Sequence, residues 1–314
     1  MKKVFVAISS GIDSTVALKI LAKEYNVTAV FMRLYDIADE RRAKEIADFF
    51  NVPFLVFDFR KEFKEKIINR FIKDLKAGNT PNPCVLCNRD IKFNLFYKEA
   101  KKRGADLIAT GHYVKKKGEF LYKAKDEKKD QSYFLWGLTK EQVKNSLFPL
   151  GDFRKEDIRK QVKIKTGKES QEVCFDFSEL LESKKGKILD ENNNVLGKHQ
   201  GVWFYTIGQR KGIELPQGPF FVFKKDVKNN ILYVTKNKEL LLKKEVKFKK
   251  TNWFVLKEFP FQASAKIRYR AKEALCTVYK NKAIFKEGQS AVTSGQSIVF
   301  YKNKKLIGGG IIYE

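Results

Sequence analysis

Two groups of residues in this 314-residue chain could do chemistry. The first is Ser9-Ser10-Gly11-Ile12-Asp13-Ser14-Thr15, a run of small hydroxyl residues with one glycine and one acid. If such a turn opens a helix, the unpaired N–H groups of the first turn and the positive end of the dipole make an anion site. Ser9, Ser10, Ser14 and Thr15 add hydroxyl donors, and Gly11 lets the backbone come close to the anion. Asp13 can orient a donor or reach a magnesium ion. The G-x-x-x-x-G-K-[ST] loop is excluded, because its glycines and lysine are missing. An ordinary capped turn between strand and helix has the same composition. The second group is Cys84-Val85-Leu86-Cys87 with the later Cys174. As thiolate or persulfide, sulfur is a strong nucleophile. A structural zinc site wants four protein ligands, and these cysteines supply three. Three thiolates and an open position suit a cluster with an unligated iron, or a redox-active pair with a spare. Cys276 lies in a β-rich run and reads as a small buried hydrophobe.

The elements that must position these groups follow from periodicity. Val4 to Ile8 is a short apolar run ending at the hydroxyl turn, and it predicts a buried strand. Val16 and Ile20, then Ala17 and Leu21, stack four apart as a helix. Further strands are expected over Val27 to Met32, Pro53 to Phe57 and Asp106 to Ala109, with helices over Glu40 to Phe50 and Glu62 to Leu75. This alternation predicts a parallel sheet with helices on both faces, and ligands at the carboxyl ends of the strands. Met32 and Gly111 fall at such ends. Gly78 to Pro83 is a stiff loop, and Asn88 is expected to cap the helix carrying Ile91, Leu95 and Phe96. Cys87 would then sit beside a helix N-terminus, which favours the thiolate. Thr139-Lys140-Glu141-Gln142 has capping-box spacing, and a helix is expected from about Lys155 to Lys165. From about Leu180 the pattern changes to short β runs, among them Gly201 to Ile207, Ala263 to Tyr269 and Ser297 to Tyr301, the last paired with Leu306 to Ile312. Small barrels are the expected outcome. The chain divides at about 1–178, 179–238 and 239–314. His199 falls in a polar turn and is expected at the surface. Arg268, Tyr269 and Arg270 alternate on a strand, with both arginines on one face.

Sixty-four basic residues against 37 acidic ones give a formal charge of +27, which favours a polyanionic partner, nucleic acid first. A uniformly basic surface is the plainer account. No apolar run approaches the ~20 residues of a membrane span. The N-terminus leads straight into a strand without a signal-peptide layout, so a cytoplasmic protein is expected.

The hydroxyl turn resembles the pyrophosphate loop of ATP pyrophosphatases, S-G-G-x-D-S, with Ser10 in place of the first glycine. Over its whole length the chain resembles the bacterial tRNA-specific 2-thiouridylases, the MnmA family. The matching stretches are Asn82 to Asn88, Ile91-Lys92-Phe93, Thr110-Gly111-His112-Tyr113, Lys129 to Leu135, Phe148 to Gly151, Glu172 to Phe175, Tyr205 to Gly212 and Lys266 to Arg270. The resemblance implies an α/β, Rossmann-like PP-loop domain followed by two small β-rich domains, the last a barrel. It implies 2-thiolation of the wobble uridine of tRNAs of the Lys, Glu and Gln type. ATP with magnesium would adenylate the C2 oxygen, sulfur would displace AMP, and pyrophosphate would leave. ATP contacts would run from Ala7, Ile8, Ser9, Ser10, Gly11 and Ile12 to Asp13 and Ser14, with Met32 and Gly111. Asp13, Cys84, Cys87 and Cys174 would be catalytic. Asn82, Pro83, Cys84 and His112 would hold the base. Lys129, Asp130, Gln131, Arg268, Tyr269, Arg270 and Gln296 would contact tRNA. Some members have aspartate where Cys84 stands. Cysteine there completes a three-thiolate set, Cys84, Cys87 and Cys174, suited to a [4Fe–4S] cluster. The other route is a Cys174 persulfide with Cys87 as its partner, closing a Cys87–Cys174 disulfide. Sulfur would come from a cysteine desulfurase, a relay protein or sulfide. No membrane partner is implied, and a monomer is expected. Two rivals are an amide-forming ATP pyrophosphatase, which has no use for the cysteines, and a non-catalytic RNA-binding relative.

Overall fold

The structure is a computed structural model that describes all residues except 36–38, 161–179, 256–257 and 314. Its first layer is a five-stranded sheet. The strands are β1 (Lys3–Ile8), β2 (Asn26–Arg33), β3 (Phe54–Asp58), β4 (Leu107–Ala109) and, past a hairpin of β5 (Lys115–Lys117) and β6 (Phe120–Tyr122), β7 (Ser146–Leu147). Their order is β3-β2-β1-β4-β7, parallel throughout. β1 lies between β2 and β4, so the winding reverses there and leaves a crevice beyond the carboxyl ends of β1 and β4. Helices α1 (Ile12–Leu21) and α2 (Glu40–Phe49) follow β1 and β2 as the periodicity predicts.

A four-stranded sheet follows, from β8 (Gly186–Leu189), β9 (Val195–His199), β10 (Phe221–Asp226) and β11 (Ile231–Thr235). Its order is β10-β11-β8-β9, over its own small core of Ile188, Val222, Leu232 and Val234. The last region is a closed six-stranded barrel of β12 (Leu242–Trp253), β13 (Phe261–Lys266), β14 (Ala274–Val278), β15 (Lys282–Ser290), β16 (Ser297–Lys302) and β17 (Lys305–Ile312). β12 closes it by pairing with both β15 and β17. The predicted pairing of the last two strands is present.

Several expectations are corrected. Residues 201–207 form no strand; Val202–Phe204 is a single 3-10 turn. His199 is buried, with Nδ1 accepting from Gly201 N at 3.0 Å and Nε2 facing Asn230 O at 3.2 Å. β13 ends at Lys266, so Arg268, Tyr269 and Arg270 lie in the following turn rather than on a strand. The helix from Lys155 is described as far as Lys160; both its expected end near Lys165 and the later Cys174 fall outside the described residues. The β5–β6 hairpin, which has no counterpart in the sequence reading, joins the barrel sheet through Lys305 opposite Tyr122. One apolar core runs through both regions, from Phe5, Phe96 and Trp136 to Val299, Tyr301 and Leu306. Each such buried side chain contributes about 1.5–3 kcal/mol, so the first domain and the barrel are stabilised together. Cys276 is buried in the barrel core and its thiol is pushed up to about 12 by that burial.

Candidate active site

The crevice has a volume of about 470 Å³. Ala7, Ile8, Ser9, Ser10, Asp13 and Ser14 line it from β1 and α1, and Met32 from β2; Gly111 and His112 follow β4. Gly11 and Ile12, both expected among the ATP contacts, are not in its lining. Gly11 is the N-cap of α1, in extended conformation and with no side-chain cap, so the first N–H groups of the helix have no side-chain acceptor there. A hydroxyl network sets the turn. Ser9 N donates to Ser14 Oγ at 3.0 Å, Gly11 N to Ser9 Oγ at 3.2 Å, and Thr15 Oγ1 to Gly11 O at 3.1 Å. Asp13 Oδ1 accepts from Tyr113 Oη at 2.6 Å and from Lys155 Nζ at 2.7 Å. Burial and the Asp13 charge push the Tyr113 phenol up, so it remains a donor.

Gly111 is where the backbone of β4's end meets the start of α1. A Cβ there would lie 3.0 Å from Asp13 C and Ser14 N. Gly111→Ala must displace the first turn of α1; with the nucleotide that the pyrophosphate-loop resemblance implies in this crevice, the expected result is Mg·ATP binding about tenfold weaker, roughly 1.4 kcal/mol, by calorimetry.

His112 places Nδ1 2.8 Å from Thr110 Oγ1 and its ring 5.7 Å from Phe93. Its pKa is pushed down to about 3, by burial first and by the Lys92 ammonium second; burial also lowers that of His199. Both are therefore neutral at pH 7. In the unfolded chain each binds a proton below about 6.5, the ordinary value. The unfolded state then holds more protons than the folded one, so stability is full above about 6.5 and falls as pH drops below it. The measurable expectation is that neither imidazole titrates near 6.5 in the folded protein's NMR spectrum, while acid unfolding steepens below that pH.

The cysteines sit on one long helix, Pro83–Leu86, Cys87–Leu95 and Phe96–Lys102, whose middle stretch is a π-helix. Its N-cap is Asn82, whose Oδ1 accepts from Cys84 N at 3.2 Å, with Pro83 at the first position. The expectation that Asn88 caps this helix is corrected. Asn88 is buried within it, its Nδ2 donating to Phe134 O at 3.3 Å. Cys84, not Cys87, thus occupies the first turn. Cys87 is buried beside Val85, Ile91 and Phe93, and Cys84 is half-buried. The same helix presents Lys92 to the crevice. Neither Cys84 nor Cys87 lines the crevice. Cys84 and Cys87 are separated by one helical turn. Among the described residues no three His, Cys, Asp or Glu side chains gather into a metal site, and Cys174 lies outside them.

The residues expected to touch tRNA divide. Arg268 and Arg270 are exposed in a turn, flanking Tyr269, which packs 4.4 Å from Phe134. Asp130 is buried and accepts from Ala124 N and from Ser132 N and Oγ, so its carboxylate braces its own loop. Gln131 lines the crevice with Oε1 bonded to Tyr113 N at 2.9 Å. Lys129 is half-buried. Gln296 Nε2 donates to Thr80 O at 2.7 Å and Ser294 O accepts from Thr80 N at 2.8 Å, so the barrel grips the loop that leads into the cysteine helix. Sequence reasoning did not single out Lys92, Tyr35, Asp39 or Lys155. Lys92 stood inside a quoted motif; Lys155 carried no local signal, being 142 residues from its partner.

Three family matches tile the chain. The tRNA methyl transferase HUP domain covers residues 2–176, the tRNA methyl transferase PRC-barrel domain 177–236 and the aminomethyltransferase beta-barrel domain 243–312. Full-length relatives are the tRNA-specific 2-thiouridylases MnmA of Clostridioides difficile (39% identical, 99% of this chain, 98% of the relative) and Treponema denticola (39%, 99% and 97%). That of Chlamydia trachomatis serovar D is 38% identical, over 99% of this chain and 97% of its own. With one relationship spanning all three regions, the chain belongs to the tRNA-specific 2-thiouridylase family, MnmA.

Proposed function

We propose that this protein thiolates C2 of the wobble uridine in tRNAs of the Lys, Glu and Gln type, using ATP. The observation that supports the reading is that the helix carrying Cys84 and Cys87 also turns Lys92 into the crevice lined by Ser9, Ser10, Asp13 and Ser14, while neither cysteine is itself in the lining. An amide-forming synthetase has no need of thiols there.

The crevice suits a nucleotide. Phe31, Met32 and Leu34 offer an apolar wall for a base, and the α1 N-terminus with Ser9, Ser14 and Lys92 offers donors and charge for phosphates. Gly111 leaves the close approach that the turn needs. Asp13 is the carboxylate placed to hold magnesium, which would stabilise charge on the departing pyrophosphate. A uridine splayed from its loop would meet Asn82, Pro83 and Cys84 at the helix start, which lie outside the crevice lining, and His112, which is in it. In the tautomer in which Thr110 Oγ1 donates to Nδ1, the His112 proton would sit on Nε2, a donor suited to the base carbonyl. Arg268 and Arg270, with Lys129, would clamp RNA phosphates. The basic excess serves the same partner.

For the sulfur step, Cys84, Cys87 and Cys174 form the set we assign to a [4Fe–4S] cluster, which would present sulfur to the activated C2. In the alternative, Cys87 attacks a Cys174 persulfide, forming a Cys87–Cys174 disulfide and releasing hydrosulfide to C2. The test is mass spectrometry of tRNA after incubation with ATP, magnesium and sulfide, using protein purified without oxygen. ATP-dependent 2-thiouridine is expected, with AMP and pyrophosphate. Unmodified tRNA under every sulfur source would overturn the reading, and full activity in iron-free protein would remove the cluster.

A further inference from the structure

We propose that Lys155 is a positioning residue of the nucleotide site, acting through Asp13. This rests on the reading of the crevice as an ATP site, and on nothing about tRNA.

Asp13 stands in the first turn of α1 and lines the crevice. A carboxylate is at home at a helix N-terminus. It is badly placed for an arriving triphosphate, whose charge it repels unless a cation offsets it. The structure supplies that cation from another part of the chain. Lys155 Nζ reaches Asp13 Oδ1 at 2.7 Å, with side-chain exposures of 6% for the lysine and 28% for the aspartate. Lys155 does not line the crevice. It therefore meets the carboxylate on the protein side, while Asp13 is left facing the ligand. Tyr113 Oη takes the same oxygen at 2.6 Å, and the Lys155 ammonium lies 6.0 Å from the Tyr113 ring. Lys155 is itself fixed, its backbone N donating to Asp126 Oδ2 at 2.9 Å.

Two donors on Oδ1 hold the carboxylate in one rotation and leave Oδ2 for a metal ion or a phosphate-bound donor. The buried ammonium also cancels the carboxylate charge inside the wall, where screening by water is weak. The turn has no lysine of its own, and this arrangement provides its counter-charge without placing a mobile side chain in the crevice.

The experiment measures binding of the magnesium complex of α,β-methylene-ATP to the full chain by calorimetry. Lys155→Met should weaken it at least ~10-fold, because it leaves a half-buried carboxylate uncompensated. Lys155→Arg should recover part of the loss. In an Asp13→Asn background the same Lys155→Met change should alter affinity less than about twofold, since its effect passes through the carboxylate. A merely structural lysine would lower the melting temperature and weaken binding equally in both backgrounds. Equal losses, or no loss with Asp13 present, would overturn the proposal. If Lys155→Met does not fold, Tyr113→Phe carries the same cycle: it should weaken binding beside Asp13 and not beside Asn, and any other pattern overturns the proposal. Failure of the unaltered chain to bind the nucleotide would sink the ATP reading of the crevice instead.

Discussion

Cys87→Ala will abolish 2-thiouridine formation, by on the order of 10³-fold or more, while Mg·ATP affinity stays within about twofold of the unaltered chain. The two halves of this result come from different parts of the first domain. Ser9, Asp13, Ser14 and Gly111 line the crevice from other elements, and Lys92 is the residue of the cysteine helix in that lining. Cys87 lies in the apolar interior of that helix, beside Ile91 and Phe93. Alanine fits there without introducing a polar group, so the fold should survive. Serine is the poorer choice, since its hydroxyl would be buried at a cost of ~1–3 kcal/mol unless it found a partner. Cys84→Ala then separates the two sulfur routes. If three thiolates hold a cluster, the substitution removes iron and activity together. If Cys87 and Cys174 work as a pair, Cys84→Ala keeps most of the activity. Cys276→Ala serves as the control, because Cys276 is buried in the barrel core and donates its thiol to Ala263 O at 3.5 Å. The measurements are 2-thiouridine by mass spectrometry, iron by absorbance and nucleotide affinity by calorimetry. Undiminished thiolation by Cys87→Ala would end the sulfur reading of this helix.

What was legible in the sequence is what short-range periodicity encodes. The strand at Val4, the turn at Ser9 and helix α1 lie within about twenty residues, and each is specified by its neighbours. The same holds for the capping box at Thr139, where Thr139 Oγ1 accepts from Gln142 N and Gln142 Oε1 from Thr139 N. The helix start at Asn82 was misplaced by six residues because Asn88 is an equally good cap by type; the Pro83 that follows Asn82 was the better signal. Hidden from sequence reasoning were contacts between distant segments. Lys155 has no local mark of its partner 142 residues away. His199 sits among polar neighbours, yet Gly186 packs against it so tightly that a Cβ there would lie 2.6 Å from the ring. The β5–β6 hairpin reads as a lysine-rich surface stretch, and its pairing with β17 depends on a strand nearly two hundred residues later. Motif resemblance names residues without saying what their side chains hold. Asp130 and Gln296, which the resemblance implies as tRNA contacts, hold a loop and a domain contact.

The stretch after Gln131 makes that distinction testable, because it is the seam between the first domain and the barrel. Trp136→Ala should lower stability by ~3–5 kcal/mol, the usual cost of emptying a large aromatic site in a packed core. Trp136 is only 3% exposed, and its Nε1 donates to Ser297 Oγ at 3.0 Å. Its ring lies against Gly309, where a Cβ would come within 2.8 Å, so β17 can pass only because that position is glycine. Asn252 Nδ2 donates to Trp136 O and to Leu138 O, and Tyr133 Oη to Ser297 O. Truncation leaves Ser297 Oγ buried without this donor as well as an apolar void. Since one core joins Phe5 and Phe96 to Val299 and Tyr301, the loss should not stay in the barrel. Hydrogen exchange should rise together in peptides from β1 and from β16, as expected of one cooperative unit. The four-stranded sheet, over its separate core, should keep its protection. Faster exchange confined to barrel peptides would mean that the barrel is a tethered module and that the shared core contributes little. A joint loss ties the arginine turn to the crevice mechanically, because Tyr269, between Arg268 and Arg270, packs on Tyr133 and Phe134 of this same seam.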